Sequence, residues 1–296
     1  WGVTTAYYDL ADVYLETLDP TGTKVLFEGG QVDILEKEFS FYDSSTQSTL
    51  TQTFRYVPHH GPIVAEDRAN NTAVSIRWTG HEGGQDLDAF FGVGRAASLA
   101  EAKTAIGLAA SANQDFVIVD KAGNFGWFPL ANVPNRPWAS PGLPPWLPLP
   151  GDGSAEWAGY VPKASLPQLE NPAAGYIATA NQDMTGAGYD GDPTNDGQAA
   201  IQALSKADGA RQRRILDLLA AGGAAHGVET MTAIQGDSFS LYGEVVVPEV
   251  LLAMQGQTLT PEEQAVVDAL AAWNYTCPTG VAGTDPASST DATDQA

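Results

Sequence analysis

The 296 residues are 43% apolar, enough to bury a sizeable core in one large domain or two small ones. Asp and Glu number 36 against 14 Lys and Arg, and a net charge of −22 repels phosphate backbones, so nucleic acid is not an expected partner. No apolar run approaches the roughly 18 residues of a membrane helix, so no membrane is expected either, and the single Cys277 can close no internal disulfide.

The chain opens on a strand-like run from Trp1, with neither the basic n-region nor the apolar h-region of a signal peptide. The first 80 residues read as β. Val25-Leu26-Phe27 and Val32-Asp33-Ile34-Leu35 flank Glu28-Gly29-Gly30-Gln31, a hairpin signal. Glu38 to Tyr42, Leu50 to Val57 and Ala73 to Trp78 alternate or are rich in β-branched and aromatic residues. From Asp86 to Leu108 the period changes, and one or two helices are predicted, with Ser98 and Glu101 as a capping box. Phe116 to Val119 and Phe125 to Phe128 form a second strand pair around the turn Asp120 to Asn124.

Prolines recur from Pro129 to Pro150 and exclude regular structure there. Trp138 and Trp146 make this a loop packed on a surface rather than a tether, so no domain boundary is placed in it. Gly175 to Asn181 reads as a strand running into the Asp/Gly/Asn loop 183–197. Helices are predicted at about Ile201 to Leu204, Ala210 to Ala221, Thr230 to Gln235, Val245 to Gln255 and Pro261 to Trp273. Thr260-Pro261-Glu262-Glu263 is a strong start for the last one. One domain is expected over residues 1–277, and residues 278–296 read as a disordered tail.

Several chemistries lack their motif. Gly236-Asp237-Ser238-Phe239-Ser240 fails the nucleophile-elbow pattern at its last position, and His81-Glu82-Gly83-Gly84-Gln85 stops one ligand short of a zinc-protease helix. No phosphate loop or dinucleotide fingerprint occurs. Three constellations remain. In Asp9-Leu10-Ala11-Asp12, two carboxylates and a carbonyl can point at one calcium ion, although these four residues alone favour a solvated acidic loop. Asp183, Asp190, Asp192 and Asp196 form a second acidic loop, and two such loops raise the odds that a cation joins them. Asn181, after Tyr176-Ile177-Ala178-Thr179-Ala180, can donate to a developing oxyanion, against the commoner fate of an Asx-turn. Arg211, Arg213 and Arg214 can neutralise an acidic site or form a salt-bridged helix face.

Taken in order, these segments resemble the penicillin acylase family of N-terminal-nucleophile hydrolases, from Trp1 to about Trp273. Trp1-Gly2-Val3-Thr4-Thr5 with Asp9-x-x-Asp12-Val13-Tyr14-x-Glu16 looks like its oxyanion-donor and calcium segment. Tyr56-Val57-Pro58-His59-His60-Gly61-Pro62 looks like its Arg-Thr-x-His-Gly-Pro turn. Asp86 to Phe90, Gln114 to Phe116, Asp120 to Trp127, Val133 to Arg136, Leu147 to Gly151 and Asn171 to Asn181 follow in the family's order. The resemblance implies an α+β fold, a partial αββα sandwich with a helical second half. It implies that the Thr5 N–H and the Asn181 side chain are oxyanion donors and that Arg211 supports that site. It implies one structural Ca2+ on Asp9, the Ala11 carbonyl, Asp12, the Pro134 carbonyl and Asp192, with Asp190 as a rival to Asp192.

The implied function is hydrolysis of linear amides of hydrophobic acyl compounds, of the penicillin or acyl-homoserine-lactone type, through an acyl-enzyme. The implied partners are a small-molecule amide substrate and an α-chain from the same precursor, and the implied location is periplasmic or secreted. The family's nucleophilic Ser lies some tens of residues ahead of its Trp-Gly segment, whereas Trp1 is the first residue here. The polypeptide by itself is therefore expected to be inactive. A calcium-stabilised exported binding module without catalysis is the competing expectation, and no carboxylate spacing singles out a glycosidase pair.

Overall fold

The computed structural model describes residues 1–277 except Asp196, Ser205 and Ala224. The expected tail at 278–296 and the Asp196 position lie outside the described residues. The chain forms two compact units, Trp1–Lys206 and Ala207–Ala296.

The first unit carries the strands. They are β1 (Gly2–Thr5), β2 (Ala11–Thr17), β3 (Lys24–Phe27), β4 (Gly30–Asp33), β5 (Leu35–Asp43), β6 (Ser48–Val57), β7 (Gly61–Asp67) and β8 (Thr72–Trp78). After helices α1 (Asp86–Arg95) and α2 (Leu99–Ile106) come β9 (Gln114–Val119), β10 (Phe125–Phe128), β11 (Leu149–Pro150) and β12 (Leu169–Glu170). One sheet has the order β1-β9-β10-β12, and a six-stranded sheet runs β11-β2-β8-β7-β6-β5. Strands β3 and β4 form a separate hairpin whose tip, Glu28 and Gly29, has positive φ at both residues, as a tight primed turn requires.

The main core lies where α1 and α2 cover the four-stranded sheet. Val93, Leu99, Ala102 and Ile106 from the helices meet Phe116, Ile118 and Phe128 from β9 and β10. Ser98 caps α2 by accepting from Glu101 N–H at 3.3 Å, and the Glu101 carboxylate reaches back to Ala97 N–H at 2.8 Å. The reciprocal bond of the expected box thus lands one residue earlier. A smaller cluster of Tyr14, Leu149 and Ala155, with Trp138 packed on it, fastens the proline-rich loop to β2.

Two expected elements do not form. Tyr176 to Ala180 is extended but unladdered, and Leu169–Glu170 takes the place beside β10 instead. Ile201 to Leu204 is not helical: Gln202 bridges Tyr8, and Asp9 N–H bonds Ile201 O at 2.9 Å. Both runs have apolar residues in a helix-like or strand-like pattern, but the backbone of 201–204 pairs with the distant segment at Tyr7 to Asp9.

The second unit is helical, with α3 (Ala210–Gly222), α4 (Val228–Gln235), α5 (Leu241–Met254) and α6 (Pro261–Ala272). Thr260 and Glu263 make the reciprocal box at the start of α6, with bonds of 3.2 Å and 2.8 Å.

Candidate active site

Strand β1 is the outer strand of its sheet. Its phase is set by Ala6, whose N–H bonds Asn113 O at 2.9 Å, and by the Thr4↔Asp115 register. In an antiparallel ladder successive residues point their amides to opposite sides. The Thr5 N–H therefore points off the open edge of β1, where a donor to an oxyanion has to face.

Opposite the preceding residue, Thr4, lies Asp115 on β9, 1% exposed. Its carboxylate accepts from Thr4 Oγ1 at 3.2 Å and from Trp127 Nε1 at 2.7 Å. Burial pushes this acid up to about 7; the two donors oppose the rise, and the charge of Asp183 adds to it. The Tyr8 hydroxyl is buried with no hydrogen-bond partner, and its phenol is raised by burial and then by Asp115 and Asp183.

Asn181 has φ 64°, the left-handed region that Asn tolerates better than most residues. Its flanks are fixed. Ala180 N–H bonds the Oε1 of buried Gln182 at 2.6 Å. Asp183 accepts from Thr185 N–H at 2.8 Å, Thr185 Oγ1 at 2.6 Å, Gly188 N–H at 3.0 Å and Lys206 Nζ at 3.2 Å. These bonds hold the Asp183 carboxyl below its ordinary value against the effect of burial. Asp183, two residues beyond Asn181, and Asp115, the partner of Thr4, both act on Tyr8. Tyr8 thus feels a charge from each of the two segments that carry the expected donors.

The expected calcium residues occupy β2 and its surroundings. Asp12 is fully buried and accepts from Arg136 Nε at 2.9 Å and from the Trp157 indole. Arg136 also donates to Asp9 O at 3.0 Å, and its Nη2 stands 3.5 Å from Asp9 Oδ1. Burial pushes Asp9 up to about 6, opposed by Arg136 and helped by Asp12. The reading of Asp9 to Asp12 as a solvated loop is therefore overturned: Asp12 is inside a strand and inside the core. Thr79 N–H bonds Leu10 O at 3.1 Å, which by alternation turns the Ala11 carbonyl away from β8. Val161 N–H and Ala158 N–H take the carbonyls of Val133 and Asn135, so the Pro134 carbonyl faces the other way. Asp12 Oδ1 is buried without a partner.

The sequence matches the penicillin amidase family over residues 1–292. The chain belongs to that family. It is 29% identical over 188 residues to a penicillin acylase 2 proenzyme of Pseudomonas sp. strain SE83, covering 60% of this chain and 23% of that protein. It is 29% identical over 189 residues to the penicillin G acylase of Escherichia coli, covering 61% and 21%. An acyl-homoserine lactone acylase QuiP of Pseudomonas fluorescens Pf-5 is 28% identical over 195 residues, covering 64% and 23%. The chain spans about a quarter of the length of these relatives. In fold it is similar to a thermostable penicillin G acylase from Alcaligenes faecalis, with a TM-score of 0.72 at 22% identity, over 93% of this chain and 48% of that one. Its α+β architecture is that of this N-terminal-nucleophile hydrolase.

Two further expected site residues have these local surroundings. Asp192 closes its own turn, accepting from Thr194 N–H at 2.9 Å and Thr194 Oγ1 at 2.5 Å, while Asp190 takes Asp192 N–H at 2.9 Å and Asn195 Nδ2 at 2.7 Å. Among the described residues Asp9, Asp12 and Asp192 do not form a three-ligand cluster. Arg211 lies in the first turn of α3 in the second unit, beside Arg214, whose guanidinium grips Asp237 through two bonds of 2.9 and 2.7 Å. Two participants lie in family-like segments but have no role legible in the sequence: Asp115 is placed by Thr4 and Trp127, 111 and 12 residues away, and Arg136 by Asp12, 124 residues away.

Proposed function

We propose that this chain supplies the oxyanion-stabilising core of an acylase that cleaves linear amides of hydrophobic acyl compounds, of the penicillin or acyl-homoserine-lactone type. The observation that supports the reading most is the Thr5 N–H on β1, which points off the open edge of its sheet. An N-terminal Ser from outside these residues attacks the amide carbonyl, its own α-amine serving as base. The Thr5 N–H and the Asn181 side chain receive the negative charge, each removing about 3–4 kcal/mol from the barrier. Water then releases the acid from the acyl-enzyme. Arg211 is proposed to support Asn181 or the substrate. An α-chain from the same precursor and a periplasmic or secreted location belong to the same proposal.

Oxygen donors from Asp9, Ala11, Asp12, Pro134 and Asp192 are proposed to hold one calcium ion. The unpartnered Asp12 Oδ1 and the outward carbonyls of Ala11 and Pro134 fit such an ion. Arg136 already balances part of this charge, so the ion would add ligation rather than neutralise a bare cluster. When bound, calcium would pin β2 to the loop after Asn181. Adding calcium should raise the melting temperature of the wild-type chain and leave Asp12→Asn unmoved; equal shifts in both would remove these ligands.

The reaction is tested on the complete gene product with a chromogenic phenylacetyl anilide. Asn181→Ala is expected to lower kcat by about 10²–10³-fold with little change in KM. A variant as fast as wild type would dismiss Asn181 as donor. The 296-residue chain by itself is expected to give no turnover, and turnover would place the nucleophile inside it.

A further inference from the structure

A second buried cluster lies lower on β2 and takes no part in the proposed reaction. Glu16 on β2 and His60 in the turn between β6 and β7 are both fully buried. His60 Nδ1 is 2.7 Å from Glu16 Oε1, and its Nε2 is 2.7 Å from Glu156 Oε1. Ser75 Oγ adds a 2.6 Å bond to Glu16 Oε1. The His60 ring stacks on Tyr14 at 3.6 Å with an interplanar angle of 8°, and its neighbour His59 lies 3.8 Å from the Phe27 ring. The two imidazoles are 4.3 Å apart, centroid to centroid.

Two polar atoms here have no hydrogen-bond partner although both are buried: Glu16 Oε2 and His59 Nε2. A buried orphan acceptor loses roughly 1–3 kcal/mol of hydration, so two in one cluster call for a ligand. Ligand-type atoms of Glu16, His59 and His60 all lie within 4.8 Å of one another, and among the described residues this is the only group of three such side chains. Gly151 borders it, and a Cβ there would collide with the Glu16 carboxylate, so glycine is what lets the backbone pass this close to that oxygen.

We propose that Glu16, His59 and His60 form a binding site for a divalent transition metal of the zinc class. Two imidazoles and one carboxylate are a zinc ligand set, whereas calcium takes six to eight oxygens. Binding requires His60 to exchange one of its carboxylate hydrogen bonds for the metal. The fourth position is left to water or to Glu156, whose side chain is 26% exposed and marks the side open to solvent. The site is distinct from the oxygen-donor group of Asp9 and Asp12 and does not depend on the acylase reading.

The test uses the untagged 296-residue chain, stripped with EDTA, loaded with zinc chloride in excess calcium and desalted. Elemental analysis should find about one zinc per chain in the wild type and in His81→Ala. His59→Ala and His59→Gln should retain less than a tenth of that while keeping the wild-type circular dichroism spectrum. Cobalt(II) should give the visible absorption of a four-coordinate ion in the wild type and in His81→Ala but in neither His59 variant. No zinc retained by the wild type, or a full equivalent retained by both folded His59 variants, would overturn the proposal; the latter would mean that the orphans are served by water.

Discussion

Strand β2 buries two acids on one face, Asp12 and Glu16, with Tyr14 between them, and all three are fully buried. Their partners differ. Asp12 meets the guanidinium of Arg136, a permanently cationic type of side chain. Glu16 meets the imidazole of His60, which can lose its proton near neutrality. The first pole of the strand holds a fixed charge balance, and the second holds a conditional one. Alternation along a strand thus sets which residues go inside, while the partner from elsewhere in the chain decides whether the buried charge is permanent.

The largest expected effect comes from breaking the fixed pole. Arg136→Met strands Asp12 and deprives Asp9 of its cation, and removing one member of a buried pair costs about 3–5 kcal/mol. Urea unfolding measures the loss. Arg136→Met combined with Asp12→Asn should recover part of it, because the stranded charge is gone. A loss under about 1 kcal/mol in the single variant would mean that the pair contributes little and that the comparison with Glu16 has no energetic content.

Breaking the conditional pole should be smaller, about 2–3 kcal/mol for His60→Gln at pH 6, and should change the shape of the pH profile. Burial lowers the His60 pKa, but its bonds to Glu156 and Glu16 raise it more, and the net shift is upward from 6.5. A group raised in the folded state gives its full stabilisation below its unfolded value and loses it as pH climbs through the folded value. Glu156 is the mirror case: burial raises it, the bond from His60 and the charges of His60 and Arg77 lower it more, and its contribution, present above 4.5, is lost as pH falls through the lowered value. The His60 and Glu156 pair should therefore contribute most between these limits, and its contribution should decline on the alkaline side. His60→Gln should lack that alkaline decline, and Arg136→Met should keep it. Identical profiles for the two variants would erase the distinction between the poles.

Features built from neighbouring residues are legible in the amino-acid sequence. Thr260 to Glu263, Ser98 with Glu101 and the Glu28-Gly29 turn each form from residues within a few positions of one another. The β-rich first part and helical last part follow from hydrophobic period alone. What is not legible depends on long-range pairing. Tyr176 to Ala180 has strand-like residues but no ladder, since β10 is taken by Leu169–Glu170. Asp9 to Asp12 has the composition of a polar loop, yet Arg136, more than 120 residues on, neutralises it inside the core. In the candidate site the identities of Thr5 and Asn181 follow from ordered resemblance, but the direction of the Thr5 amide follows only from the pairing of Ala6 with Asn113.

Asp115 extends the comparison to a third buried acid, one held by the neutral donors of Thr4 and Trp127. Neutral donors favour the carboxylate but do not cancel the effect of burial, so its folded-state value is pushed from 3.8 up to about 7. Between those two values the native chain holds more protons than the unfolded one, so stability falls as pH rises across the window and is lowest above it. Asp12, with a guanidinium beside it, carries its charge inside the core by pairing; Asp115 carries its burial by keeping a proton. Asp115→Asn retains an acceptor for the Trp127 indole and has nothing to ionise. It should be more stable than wild type at pH 8 by on the order of 1–3 kcal/mol, with no difference near pH 4, as read from melts across that range. A variant that melts at or below the wild-type temperature at pH 8, with the wild-type slope intact, would show that Asp115 is ionised and satisfied in place, and the contrast with Asp12 would then rest on geometry alone.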